Sequence, residues 1–134
     1  MAGVKPSSRK TIVLDFDGVI AQYKNGWTGV EPTEPPVPGA REAVEELIRL
    51  GYEVVVVSSR AYMGEHPGGE HAIVRWLDAN GFPPLRVTSD KVPAVLYVDD
   101  RGFRFTGDWR EVLEFVARGP CSMMPWERKT PEPW

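Results

Sequence analysis

Asp15-Phe16-Asp17-Gly18-Val19 follows directly on the apolar run Thr11-Ile12-Val13-Leu14. Two carboxylates at the exit of a buried strand are poorly suited to stabilise a fold, because Asp has low strand propensity and the two charges repel. Gly18 can take positive φ, so the chain can turn sharply after Asp17. Three more polar groups follow apolar runs or stand beside them. Ser58-Ser59-Arg60 comes after Val54–Val57, Asp99-Asp100 comes after Ala94–Val98, and Lys91 lies just ahead of that last run. Four carboxylates with a backbone carbonyl make a hard oxygen site suited to Mg²⁺. A carboxylate can attack phosphorus to form an aspartyl phosphate, and a second can carry the proton to a leaving oxygen and take one from water. A hydroxyl and an ammonium, here Ser58 and Lys91, can hold the non-bridging oxygens as charge develops on them.

These groups act together only if the fold collects them. Glu53–Val57 is continuously apolar beyond its first residue, as in a strand buried on both faces of a parallel sheet. The pattern predicts strands at 11–16, 53–57, 85–87 and 94–98, with a short edge strand over Phe103–Phe105. Helices are expected over 38–50, with Pro38 in the first turn and Ala40, Val44, Leu47 and Ile48 inward, and over 70–80, with Ile73, Trp76 and Leu77 inward. A last helix begins at the N-cap Asp108, with Glu111 as its capping-box partner and Trp109, Val112, Leu113 and Val116 as the buried face. Strands alternating with helices predict an α/β fold: one Rossmann-like three-layer sandwich with a mainly parallel central sheet. In such sheets ligands bind at the carboxyl ends of the strands, near the switch in strand order. All the polar groups above fall at that end.

In that order, Asp15-Phe16-Asp17-Gly18-Val19, Ser58, Lys91 and Val98-Asp99-Asp100 resemble the four motifs of the haloacid dehalogenase superfamily of phosphohydrolases, over roughly residues 11–118. The resemblance implies Asp15 as nucleophile and metal ligand. Asp17 would be general acid and base, lending its carbonyl to the metal. Ser58 would hydrogen-bond the phosphoryl group, Lys91 would neutralise Asp15 and the phosphoryl oxygens, and Asp99 with Asp100 would complete the Mg²⁺ site. Phe16, Gly18, Ser59 and Arg60 are expected to line the phosphate subsite. An acid at position 17 goes with phosphatases rather than dehalogenases. The segments 19–37 and 58–91 are too short for a cap domain, so the chain is similar to capless members. Ser58-Ser59-Arg60 is similar to the Ser-Gly-Arg of polynucleotide 3′-phosphatase domains, which leaves a small phosphorylated molecule or a nucleic-acid end as substrate. Two other readings use the same residue types: a phospho-accepting module like a receiver domain, although Lys91 preceding the last acidic pair departs from its order, and a catalytically silent binding domain.

Composition narrows the setting. The 134 residues suit one domain. A net charge of −3 provides no global basic surface for nucleic acid. No apolar stretch reaches the roughly 20 residues needed to cross a bilayer. Cys121 is the single cysteine, which suits a reducing, cytoplasmic setting. Residues 1–10 are expected to be a flexible N-terminus. Residues 119–134 form a tail rich in Pro and Trp, which makes a homodimer a candidate assembly.

Overall fold

The structure is a computed structural model that describes residues 10–62 and 64–118. The tail, with Cys121, Trp126 and Trp134, lies outside the described residues, as does nearly all of the expected N-terminal segment.

The order of elements is β1 (Thr11–Leu14), α1 (Ala40–Arg49), β2 (Glu53–Val57), a single 3₁₀ turn (Ser59–Ala61), α2 (Gly69–Ala79), β3 (Arg86–Thr88), β4 (Leu96–Val98) and α3 (Trp109–Ala117). The four strands form one sheet in the order β3-β2-β1-β4, and every pairing is parallel. The fold is therefore α/β, as the alternation of elements predicts. Strand order runs outward from β1 to β3 and then returns to the other side of β1. The reversal opens a crevice between the carboxyl ends of β1 and β4, where α/β sheets hold their ligands.

The central strands explain the continuous apolar runs. Ile12, Leu14, Val54 and Val56 join one core with Val44 of α1 and Ile73, Trp76 and Leu77 of α2. Val13 and Val55, which alternate to the opposite face, are also buried. Trp76 organises this core. Its ring meets Phe16 edge-on at 5.0 Å and Phe82 at 5.8 Å. Its indole Nε1 donates to the Glu34 carbonyl at 3.0 Å, so the buried ring keeps its one polar atom satisfied.

Several local expectations are corrected. β1 ends at Leu14 rather than residue 16, because Phe16 already belongs to a turn. Pro38 lies ahead of α1, whose N-cap is Gly39 at φ +85°, and Ile48 is largely exposed. Phe103–Phe105 pairs with no strand. Asp108 does cap α3, accepting from the Arg110 N–H at 2.9 Å, but the Glu111 carboxylate is taken by the Thr106 hydroxyl and does not complete a capping box. Trp109, Leu113 and Val116 point to solvent instead of into the core. The short β4 is exposed along its length. The helical period located the apolar stripe correctly but could not say whether anything lies opposite it.

Candidate metal centre at the β1–β4 crevice

β1 delivers Asp15 to the crevice. The Asp15 N–H bonds to the Val98 carbonyl at 2.9 Å, extending the β1–β4 pairing by one residue to the edge of the site. The chain then coils tightly, with the Phe16 carbonyl accepting from the N–H groups of Val19, Ile20 and Ala21. Gly18 sits at φ +85°, and a Cβ built on it would lie 2.3 Å from Asp100 Oδ2. The turn therefore needs glycine twice, for its backbone angle and for the space that Asp100 fills.

β4 delivers Asp99 and Asp100. Asp99 Oδ1 accepts from the N–H groups of Arg101 (2.6 Å) and Gly102 (3.0 Å), which closes the turn after the strand. Asp15, Asp99 and Asp100 each offer a carboxylate oxygen, all within 4.8 Å of one another. Burial pushes the Asp15 carboxyl up to about 8, reinforced by the charge of Asp99 and then Asp100 and opposed by the Phe16 N–H. Asp100 is raised as well, by burial and by Asp99, against the lowering influence of Arg101. Asp100 Oδ1 is buried with no hydrogen-bond partner. An orphaned buried oxygen beside two further carboxylates has the chemistry of a hard divalent-cation site, since a cation supplies the missing partner and relieves the repulsion. All-oxygen donors suit Mg²⁺, Ca²⁺ or Mn²⁺ and disfavour the soft metals.

Asp17 stands apart from this group. Its carboxylate is held by Arg60, with Nη2 to Oδ1 at 2.9 Å and Nε to Oδ2 at 3.2 Å. The remaining Arg60 donor, Nη1, binds the carbonyls of Gly29 and Val30 in the 20–37 loop. The guanidinium also lies 4.6 Å from the Trp27 ring and is 4% exposed. Its backbone is equally constrained, because a Cβ on Gly69 would come within 1.7 Å of the Arg60 carbonyl. A shallow polar recess, no larger than a water molecule needs, opens beside the pair, with Tyr23, Gln22, Thr28 and Glu34 among its walls.

The expected phosphate subsite is thus redistributed. Arg60 is not offered to a ligand, because its donors are committed within the chain. The Phe16 side chain is fully buried and its N–H is taken by Asp15 Oδ1 at 2.8 Å. Gly18 shapes the turn and makes room for Asp100. Ser58 is buried, and its Oγ caps the 3₁₀ turn by accepting from the Arg60 N–H at 3.1 Å; its hydroxyl hydrogen can still be donated. Ser59 is exposed. Lys91 is not joined to Asp15; its ammonium lies 5.8 Å from the Tyr97 ring centroid. The cation that acts on the acidic group is Arg101, whose charge is felt at Asp100 and at Tyr23. The Arg60–Asp17 pair has no local signal in the sequence, since its members lie 43 residues apart. Arg101 follows Asp100 directly, so the sequence does place a cation beside the acidic strand end.

The fold is also found in a solved structure. A conserved protein from Bacteroides thetaiotaomicron superposes with a TM-score of 0.55 at 19% identity, covering 92% of this chain and 99% of that one. At that identity the likeness concerns the fold alone, and it supports a single α/β unit without an inserted cap. No protein-family model and no curated protein matches the chain. No helix among the described residues is long and apolar enough to cross a membrane.

Proposed function

We propose that this chain is a Mg²⁺-dependent phosphoric monoester hydrolase that works through an aspartyl phosphate on Asp15. The observation that carries the reading is the group of Asp15, Asp99 and Asp100 at the β1–β4 switch point, with one buried oxygen left without a partner. Asp15, Asp99 and Asp100 would hold the cation, with the Asp17 carbonyl as the further oxygen implied by the family resemblance. When bound, Mg²⁺ would neutralise the carboxylates and draw charge from the phosphoryl oxygens.

In the first half-reaction an Asp15 oxygen bonds to phosphorus and the ester P–O bond breaks. Asp17 gives its proton to the departing oxygen. In the second, water bonds to phosphorus, Asp17 takes the proton, and the acyl P–O bond breaks to release inorganic phosphate and restore Asp15. Ser58 donates its hydroxyl hydrogen to a phosphoryl oxygen, and Lys91 supplies the added positive charge, which requires its flexible stem to swing the ammonium away from the Tyr97 ring. Because Arg60 engages both Asp17 oxygens, the proton-carrying role requires that fork to loosen when substrate enters. The site has no cap, so substrates whose own body covers the crevice suit it best. Of the two expected substrate classes, a nucleic-acid end has such a body, whereas a small phosphorylated molecule would leave the crevice open to water.

The test is phosphate release from a panel of monoesters with Mg²⁺, a 3′-phosphorylated oligonucleotide included. Turnover should vanish in Asp15→Asn while the circular dichroism spectrum is unchanged. Undiminished activity in that variant sinks the assignment. The Arg60–Asp17 fork also favours a second reading, in which Asp17 is withheld from proton transfer and the chain is a phospho-accepting module. A hydroxylamine-sensitive phosphoprotein that persists without phosphate release distinguishes it.

A further inference from the structure

The crevice is flanked on its Asp17 side by aromatic rings. The Arg60 guanidinium that grips Asp17 lies 4.6 Å from the Trp27 ring centroid and 6.0 Å from that of Tyr23. The His66 ring packs against Trp27 at 4.6 Å, tilted by 34°. The loop that carries Trp27 is tied down on both sides of it. Ahead of it the Lys24 and Asn25 N–H groups donate to the Glu34 carboxylate, and after it the Gly29 and Val30 carbonyls accept from Arg60. The indole is thus fixed in place, yet it is 46% exposed, whereas Trp76 in the core is 8% exposed. Tyr23, partly buried, feels both halves of the site: burial and the charge of Asp17 raise its phenol, and Arg60 and Arg101 lower it. A rigid ring left open beside a reacting centre is preorganised for a planar ligand, because little freedom remains to be lost on binding.

We propose that Trp27 is the stacking platform for a nucleobase, so that the leaving group of the substrate is a nucleoside. The choice of leaving group rests on the reading of the site as a phosphomonoesterase. In that reaction Asp17 gives its proton to the departing oxygen, so the leaving group lies on the Asp17 side of phosphorus, the side that carries the rings. Trp27 is linked to Asp17 through the Arg60 guanidinium, so a ring stacked on the indole stands one spacer away from the departing oxygen. A nucleoside has that form, with a sugar between the ester oxygen and the base. A phosphorylated phenol does not, because its oxygen is on the ring itself. Every base has a π-face, so stacking favours nucleosides over other alcohols without choosing among bases. Free nucleotides and the phosphorylated end of a nucleic acid share this chemistry.

The test compares phosphate release, with Mg²⁺, from adenosine 3′- and 5′-monophosphates, a 3′-phosphorylated oligonucleotide and a ribose phosphate that lacks the base. The base-bearing esters should show a kcat/KM at least about tenfold higher, carried by KM. In Trp27→Leu that advantage should fall below about threefold, and Trp27→Phe should keep most of it. The mononucleotide and oligonucleotide arms tell which source the site takes. Equal rates with and without the base overturn the proposal and leave the phosphatase reading standing. An advantage that Trp27→Leu leaves intact overturns it too, as does a uniform fall in kcat on every ester, which would show that the indole only seats Arg60. Calorimetric titration of Asp15→Asn with adenosine monophosphate reads the platform without turnover. If no ester is hydrolysed, binding that Trp27→Leu weakens about tenfold upholds the platform while the activity fails. Absence of binding overturns the platform.

Discussion

Arg60 and Asp17 form a two-point ion pair at 2.9 and 3.2 Å, inside a fold that has brought them together from 43 residues apart. The guanidinium simultaneously ties down the carbonyls of Gly29 and Val30. One buried side chain thereby joins the turn after β1, the turn after β2 and the loop between β1 and α1. The pair holds the Asp17 carboxylate in one orientation beside the acidic group rather than within it.

Removing half of a buried pair strands the other half. Arg60→Ala should lower unfolding free energy by about 3–5 kcal/mol, because Asp17 and the two carbonyls lose their partner together. Arg60→Lys should recover only part of that, since an ammonium cannot span both carboxylate oxygens and the carbonyls in one plane. Urea denaturation of the two variants checks this. A loss below about 1 kcal/mol for Arg60→Ala would place the pair among weak surface bridges.

Gly18→Ala is expected to act on the metal site more than on the fold. The substitution strains a backbone angle of +85° and drives a methyl group into the space of Asp100 Oδ2. The backbone part costs about 1–2 kcal/mol. Displacement of Asp100 should weaken divalent-cation affinity by at least about tenfold, the scale on which support of a metal ligand is felt. Calorimetric titration with Mn²⁺ or Mg²⁺ measures it, and unchanged affinity would show that Asp100 is not a ligand.

Stability of the metal-free protein should fall as pH rises. Asp15 titrates at about 8 in the folded chain, against an ordinary 3.8. Between those values the folded state binds more protons than the unfolded state, so the slope of unfolding free energy with pH is negative. The Asp15 contribution is complete below about pH 4 and is lost through about pH 8. Comparing urea midpoints with chelator at about pH 5.5 and about pH 8.5 tests the sign. Asp15→Asn should flatten the difference. Added Mg²⁺ should restore stability most at the higher pH, where the carboxylates are ionised and unrelieved.

Gly69→Ala should disturb the site from outside it. A methyl group there meets the Arg60 carbonyl, which cannot yield without moving the 3₁₀ turn. The expected cost is about 1–3 kcal/mol, with a larger loss of the proposed phosphate release than in Gly68→Ala, whose Cβ meets open space although its φ of +84° is strained. Parallel thermal melts and phosphate-release rates on the two variants separate the effects.

The sequence by itself determined the parallel α/β sheet, its order of elements and the edge at which Asp15, Asp99 and Asp100 collect. Those features follow from local periodicity: continuous β-branched runs, helical apolar stripes, and polar residues at the point where each run stops. Asp15, Asp99 and Asp100 could be placed together because each follows the end of a strand directly. Tertiary structure decided what lies opposite each group. It turned Arg60 from an expected phosphate contact into the clasp on Asp17, gave Gly18 the task of making room for Asp100, and set Lys91 over Tyr97, leaving Arg101 as a cation whose charge acts on Asp100. It also left the Trp109–Leu113–Val116 stripe in solvent. Period and residue type specify which way a side chain points along its own element, whereas its partner is set by the packing of segments far apart in the chain.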